Sequence, residues 1–182
     1  VFRQEAVLDN GCRVVLFKRS GMPVLIRVIL FAGSRFDPVG KEGLAHYLEH
    51  ALSAGSEEFP AKDKLAAYIE QFGGGFQAWT SSEALAIDVQ VGEPDDISHS
   101  IRILSQMLLH SLFSEKTLKL EKEAIMKEIG ETNSNPARKL HEVYRRLFFQ
   151  GTAIRESNLG TKESIEAISK KDLQDYFQKM VV

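Results

Sequence analysis

Gly43-Leu44-Ala45-His46-Tyr47-Leu48-Glu49-His50-Ala51-Leu52-Ser53, halted by Gly55, is the stretch on which the reading of this chain turns. It follows a Gly/Pro-rich loop from Gly33 to Gly40, and its length predicts a helix from about Glu42 to Ser53. At about 100° per residue, His46 and His50 stand about 40° apart, with Glu49 about 60° to the other side of His46. All three therefore project from one face. Two imidazoles one turn apart can share a metal ion, and a carboxylate beside them can take a proton from water without being a ligand. A solvated helix face carrying two histidines is the plain alternative. The order His-x-x-Glu-His reverses the commoner His-Glu-x-x-His, in which the glutamate falls on the other side of the pair.

A metal held this way needs a third ligand from a facing element. Leu120-Glu121-Lys122-Glu123-Ala124-Ile125-Met126-Lys127-Glu128-Ile129 offers two candidates, because Glu121 and Glu128 lie seven residues apart on the stripe that carries Ile125. A carboxylate on an apolar stripe needs a partner, and a metal or a metal-bound histidine is one. An exposed Glu/Lys-rich helix face gives the same pattern on its own. The spacing leaves open which of the two carboxylates would be the ligand.

Around this pair of segments the chain reads as strands, helix, strands and then helices. Glu5 to Leu8 and Cys12 to Lys18 form a predicted hairpin, with Asn10-Gly11 as its two positive-φ residues, and a third strand runs from about Val24 to Phe31. Ala61 to Phe72 is helical and stops at Gly73-Gly74-Gly75. Phe76 to Thr80, a Ser81-Ser82 turn and Leu85 to Val91 form a second hairpin. Helical periodicity follows at Ile97 to Leu108, Leu118 to Ile129, Leu140 to Phe148 and Ser169 to Met180. No repeat or linker interrupts this order. It predicts one α+β domain over residues 1–182, an antiparallel sheet covered by helices.

Composition narrows the function. The 182 residues are 43% hydrophobic, enough for one sizeable core, and the net charge of −2 is spread over both signs, which argues against nucleic acid as a partner. The longest apolar stretch, Val24 to Ala32, is broken by Arg27 and falls far short of the ~20 residues of a membrane span. A soluble protein of the cytoplasm or an organelle matrix is the expectation. The lone Cys12 excludes an internal disulfide and is read as a small strand residue. His99, His110 and His141 are read as surface or cap residues, and Ser81 and Ser82 as turn residues.

Four ordered motifs carry a wider likeness: Gly43-Leu-Ala-His46-Tyr-Leu-Glu49-His50, Gly73-Gly-Gly-Phe-Gln77-Ala-Trp-Thr80-Ser81, Glu121 with Glu128-Ile129, and Gly160-Thr161-x-Glu163-Ser164-Ile165. Together with Leu8-Asp-Asn-Gly11 they resemble the N-terminal half of the pitrilysin/insulinase family of zinc metallopeptidases, which includes the mitochondrial processing peptidases. The resemblance implies a zinc endopeptidase acting on extended peptides or unfolded protein. It implies one zinc per chain held by His46, His50 and Glu128, with Glu49 as general base and Glu121 orienting a ligand histidine. It also implies that Phe76, Gln77, Ala78, Trp79 and Thr80 form a sheet edge that receives substrate as an added strand. Two departures bear on that edge and the pocket beside it. Gln77 stands where the family usually has Asn, and Ala51-Leu-Ser-Ala54 replaces a Met/Phe-containing stretch. The family's catalytic unit pairs two such halves, so a second homologous half, on the same polypeptide or on another subunit, is expected as a partner. One more strand of this domain is expected after Met180. Two other readings fit part of the pattern. A non-catalytic structural or substrate-holding subunit would share the fold, and S-ribosylhomocysteine lyase shares His-x-x-Glu-His but completes its metal with a later cysteine, whereas Cys12 lies upstream.

Overall fold

The structure, a computed structural model, describes residues 2–180. Five strands and seven helices follow one another as β1 (Phe2–Val7), β2 (Arg13–Lys18), β3 (Val24–Leu30), α1 (Leu44–Ser53), α2 (Lys62–Glu70), β4 (Gly75–Thr80), β5 (Leu85–Val91), α3 (Ile97–Leu109), α4 (Glu115–Ser134), α5 (Pro136–Phe148), α6 (Lys162–Ala167) and α7 (Lys170–Met180). The strands form two antiparallel sheets: the β1–β2 hairpin stands apart, and the other three run in the order β3-β5-β4. Every residue of β1 and β2 is exposed. The further strand expected beyond Met180 lies outside the described residues.

The first hairpin turns differently from its sequence reading. Only Gly11 takes positive φ, at 82°, and Asn10 does not. Leu8 O accepts from Gly11 N at 2.8 Å and Leu8 N donates to Cys12 O at 2.9 Å, which closes a loop one residue longer than the Asn-Gly turn. Asn10 instead uses its side-chain carbonyl to accept from Cys12 N. The strand accordingly begins at Arg13 rather than Cys12.

Alternation in the three-stranded sheet puts Leu85, Ile87, Val89 and Val91 of β5 against the helices, where all are fully buried. On the other face Arg27, Asp88 and Gln77 lie side by side across the three strands. Arg27 makes a bidentate pair with Asp88 at 2.6 Å, and Gln77 Nε2 donates to the same carboxylate. The guanidinium holds Asp88 below the usual carboxylate range. Strands β3 and β4 are the two free edges of this sheet among the described residues.

Helix α1 is the centre of the core. Leu44, Ala45, Tyr47, Leu48, Ala51 and Leu52 are all buried, and the helix touches α3, α4, α7, β4 and β5. Its first turn is fixed from a distance. The two oxygens of Asp37 accept from Gly43 N at 2.8 Å and Ala45 N at 2.9 Å, satisfying amides that no intrahelical carbonyl can reach. Burial pushes the Asp37 carboxyl up to about 7 against the pull of those bonds. Gly43 has φ 93°, and a Cβ there would meet Leu159 O at 2.6 Å. The helix consequently starts at Leu44, two residues later than its sequence pattern suggests.

The Gly160-Thr161 segment docks on the same end. A Cβ at Gly160 would lie 2.0 Å from Glu42 O, and Ser164 Oγ donates to that carbonyl at 2.6 Å. Thr161 and Ser164 cap α6, a short helix that no periodicity announces, through reciprocal bonds. Helix α7 begins at Lys170 because Ser169 serves as its cap: Ser169 N donates to Asp172 Oδ2 and Asp172 N to Ser169 Oγ. Lys41 adds an ion pair to Asp172 at 2.8 Å, tying the loop before α1 to α7.

The Lys41 ammonium, together with Ser169, lowers the Asp172 carboxyl from 3.8 to about 2. A depressed folded-state value stabilises the protein above the unfolded value, and that contribution is lost as pH falls between about 4 and 2. Asp172→Asn should therefore lower the urea midpoint at pH 7 and flatten its decline across this acid window. A variant that loses stability with acid as steeply as the parent would refute the assignment.

Candidate metal centre

The two histidines of α1 meet the carboxylates of α4 where these helices pack. Tyr47 fixes the crossing, its hydroxyl donating to Leu118 O at 2.6 Å in the buried interface. Burial, and then the charge of Glu121, push that phenol up to about 12, so it stays a donor. On α4, Leu118, Ile125, Ile129 and Thr132 are buried, which turns Glu121 and Glu128 toward α1.

His50 Nδ1 is 2.9 Å from Glu121 Oε2. That bond fixes the tautomer and presents the Nε2 lone pair outward. Glu128 faces both rings: its Oε1 is 3.6 Å from His50 Nε2 and its Oε2 is 3.6 Å from His46 Nε2. The two imidazoles meet edge to face with centroids 4.7 Å apart. His46 is buried and its Nδ1 has no partner among the described residues. Burial, followed by the neighbouring His50, lowers its pKa to about 4, so the ring is neutral near pH 7 and able to act as a ligand.

Two triads can be drawn here. Donor atoms of His46, Glu49 and His50 lie within 4.8 Å of one another. In the other, Glu128 reaches the Nε2 atoms of both histidines. Donor chemistry separates them. Glu49 Oε2 is taken by the Thr80 hydroxyl at 2.6 Å, whereas Glu128 offers one oxygen to each Nε2. Ligand atoms around tetrahedral zinc are about 3.3 Å apart, close to the Glu128 spacing. Two imidazoles and one carboxylate with room beside them fit a divalent transition ion that keeps an open position. Burial raises the pKa of Glu49 above the usual carboxylate range, and the Thr80 bond opposes it.

Residues 13–162 match the family described as Insulinase (Peptidase family M16). The chain belongs to that family. It is 28% identical over 172 residues to the mitochondrial-processing peptidase subunit beta of Dictyostelium discoideum, covering 94% of this chain and 36% of that one. It is 30% identical over 171 residues to the subunit of that name from Caenorhabditis elegans, covering 93% and 36%. An uncharacterized zinc protease of Rickettsia bellii is 28% identical over 176 residues, covering 94% and 40%. The chain thus spans only about a third of the length of the mitochondrial relatives it matches. Among solved structures, pitrilysin superposes with a TM-score of 0.83 at 26% identity, covering 98% of this chain and 20% of that one. A protease from Helicobacter pylori reaches 0.90 at 20% identity, covering 97% and 42%. An inactive M16 peptidase domain from Pseudomonas fluorescens reaches 0.88 at 16%, covering 97% and 43%, and at that identity speaks to the fold alone.

In this M16 chain the remaining candidate residues divide between two faces. Ala78 lines the cavities on both sides of Glu49, and Thr80 bonds it. Phe76 lines the second cavity, of about 380 Å³, with His50, Lys62 and Glu70. The Gln77 amide is engaged by Asp88, and Arg27 sits over the Trp79 ring at 5.7 Å, so both side chains stand on the sheet face that carries this pair. The first cavity, of about 640 Å³, opens above His46 and Glu49 and is walled by Thr80, Arg138, His141 and Arg145. His141 therefore borders the site that periodicity gave no reason to connect it with. Of the other two histidines, His99 stacks on Phe72 at 3.6 Å and bonds Tyr68, while His110 caps α3 beside Glu57. No helix among the described residues is long and apolar enough to cross a membrane.

A polar knot holds the Thr80 end of this wall. Asn158 Oδ1 accepts from Ser34 Oγ at 2.6 Å and Arg145 Nη2 at 2.7 Å, and its Nδ2 donates to Thr80 O at 3.3 Å. Arg145 also donates to Ser82 Oγ and Ile154 O, both at 2.6 Å. Ser82, a turn residue by sequence, thus joins the strand end to α5. Asn158→Leu removes three partners at once and should cost about 1–3 kcal/mol. A urea denaturation midpoint indistinguishable from that of the parent would show that the knot is not structural.

Proposed function

We propose that this chain is the metal-bearing domain of a zinc-dependent endopeptidase that hydrolyses extended peptides. One observation carries the proposal: both Nε2 atoms of the α1 pair face the two oxygens of Glu128, while His50 is held from behind by Glu121 and Glu49 stands alongside. In this reading His46, His50 and Glu128 hold one zinc. When bound, zinc supplies Lewis-acid chemistry, lowering the pKa of water and polarising a peptide carbonyl.

The chain's own groups do the rest. Thr80 occupies Glu49 Oε2, which leaves Oε1 to take a proton from water and deliver it to the departing amide nitrogen. A carboxyl raised by burial is the better suited to both halves of that transfer. The free edge of β4 offers unpaired backbone groups on which an extended peptide can add as a strand beside Glu49, so affinity comes from main-chain bonds. A second homologous half, on the same polypeptide or as another subunit, would close over that edge, in keeping with relatives about three times as long.

A non-catalytic subunit would share the fold, as the inactive domain from Pseudomonas fluorescens does. The retained Glu49, its Thr80 bond and the facing Glu128 favour catalysis here. A lyase whose metal is completed by cysteine finds no support, because Cys12 is exposed at the hairpin loop and lines neither cavity.

Elemental analysis should find about one zinc per chain, and Glu121→Ala should weaken zinc about 10- to 100-fold in a chelator competition while the far-UV spectrum is kept. Glu49→Gln should keep its zinc and lose at least about 100-fold in peptide hydrolysis by the complete protein. A zinc-loaded Glu49→Gln that still cleaves would remove the base from the mechanism.

A further inference from the structure

The cavity above His46 and Glu49 is more basic than a peptide groove needs to be. Two guanidiniums about two turns apart on α5, Arg138 and Arg145, border it together with the imidazole of His141. Among the described residues neither guanidinium has a carboxylate within 4.0 Å. Arg145 is part-buried, and its recorded partners, Ile154 O, Ser82 Oγ and Asn158 Oδ1, are all neutral. Burial lowers its pKa, as expected of a cation losing water, and the carboxylates of Glu142 and Glu156, neither of them in contact with it, only partly oppose this. Arg138 is exposed at the mouth of the cavity. One further carboxylate borders the space besides Glu49, that of Glu142, and it is paired with Lys139 at 3.3 Å. Counted with Lys139, which pairs Glu142, three cations stand against two carboxylates within reach of the strand edge at Ala78 to Thr80.

Geometry also says which part of a peptide would meet it. A strand added antiparallel to the edge of β4 runs from Thr80 toward Gly75, so the residues it lays against this cavity precede the bond at Glu49. We propose that Arg138, backed by the charge of Arg145, selects substrates carrying an acidic side chain, aspartate or glutamate, one to three residues before the cleaved bond. A guanidinium reads a carboxylate through paired N–H donors, and Glu142 is already neutralised by Lys139. The inference rests on the peptidase reading for its geometry, while the charge selection can be measured without cleavage.

The test uses the complete zinc-loaded protein and peptides that differ at one of these three positions, Asp against Asn and Glu against Gln, so that size is constant. The acid peptide should be favoured over its amide by about 10-fold in kcat/KM, chiefly through KM, with the advantage shrinking as salt rises. Arg138→Glu should bring the acid-to-amide ratio to one or below, and Arg138→Lys, which keeps the charge but loses the paired donors, should keep only part of it. The same ratio, read as affinity by fluorescence anisotropy with Glu49→Gln protein, gives a measure independent of hydrolysis. Peptides that are cleaved with a ratio near one, or a ratio that Arg138→Glu leaves unchanged, overturn the inference and leave the peptidase reading standing. Acid-selective binding that Arg138→Glu abolishes, in a protein that cleaves nothing, supports the inference and sinks the peptidase.

Discussion

A helix enclosed on nearly all sides can carry polar side chains only if the surrounding elements answer each of them. Helix α1 is such a helix: Leu44, Leu48 and Leu52 are at most 1% exposed, yet the same ten residues include two histidines, a tyrosine and a glutamate. Three of the four find their answers on two facing elements. Tyr47 is met by the Leu118 carbonyl and His50 by Glu121 on α4, and Glu49 is met by Thr80 on β4. An unanswered polar group in this position would cost as much as a sizeable part of the protein's stability. The packing of α1 and the chemistry proposed for it are thus one problem with one solution, and the unpaired Nδ1 of His46 is the single place where it is left incomplete.

The rest of the architecture keeps that solution rigid. The Asp37 carboxylate holds the first turn of α1, the Gly160-Thr161 segment packs against its start by backbone contacts too close for any side chain, and Lys41 pins α7 to the preceding loop. On the sheet, Arg27, Asp88 and Gln77 knit the three strands on the face opposite the helices. The helix-facing side is left for Thr80 to address Glu49. Two polar systems thus occupy opposite faces of one thin sheet without competing for donors.

Much of this is legible in the sequence because it is periodic. Helical spacing groups His46, Glu49 and His50, and a seven-residue interval sets Glu121 and Glu128 on one stripe with Ile125. Strand alternation gives β5 its boundaries from Leu85 to Val91. What escapes is contact between elements that share no period. Nothing local marks Asp37 as the cap of α1, Asn158 as the anchor of Thr80, or Arg145 and His141 as neighbours of α1. The turn at Asn10 escapes for a different reason. The Asn-Gly pair is compatible with two loop lengths, and the bond from Cys12 N to the Asn10 side chain favours the longer.

The distance along the chain between α1 and its partners bears on how the protein is made. His50 and Glu121 are 71 residues apart, and Glu42 and Ser164 are 122 apart. A growing chain therefore exposes the histidine pair long before any carboxylate exists to face it. Contacts of such span form late, since the entropy of closing the intervening loop is lost before they can offset it. An ion shared between α1 and α4 would bind only the closed chain, which makes metal supply a thermodynamic brace on the last stage of folding.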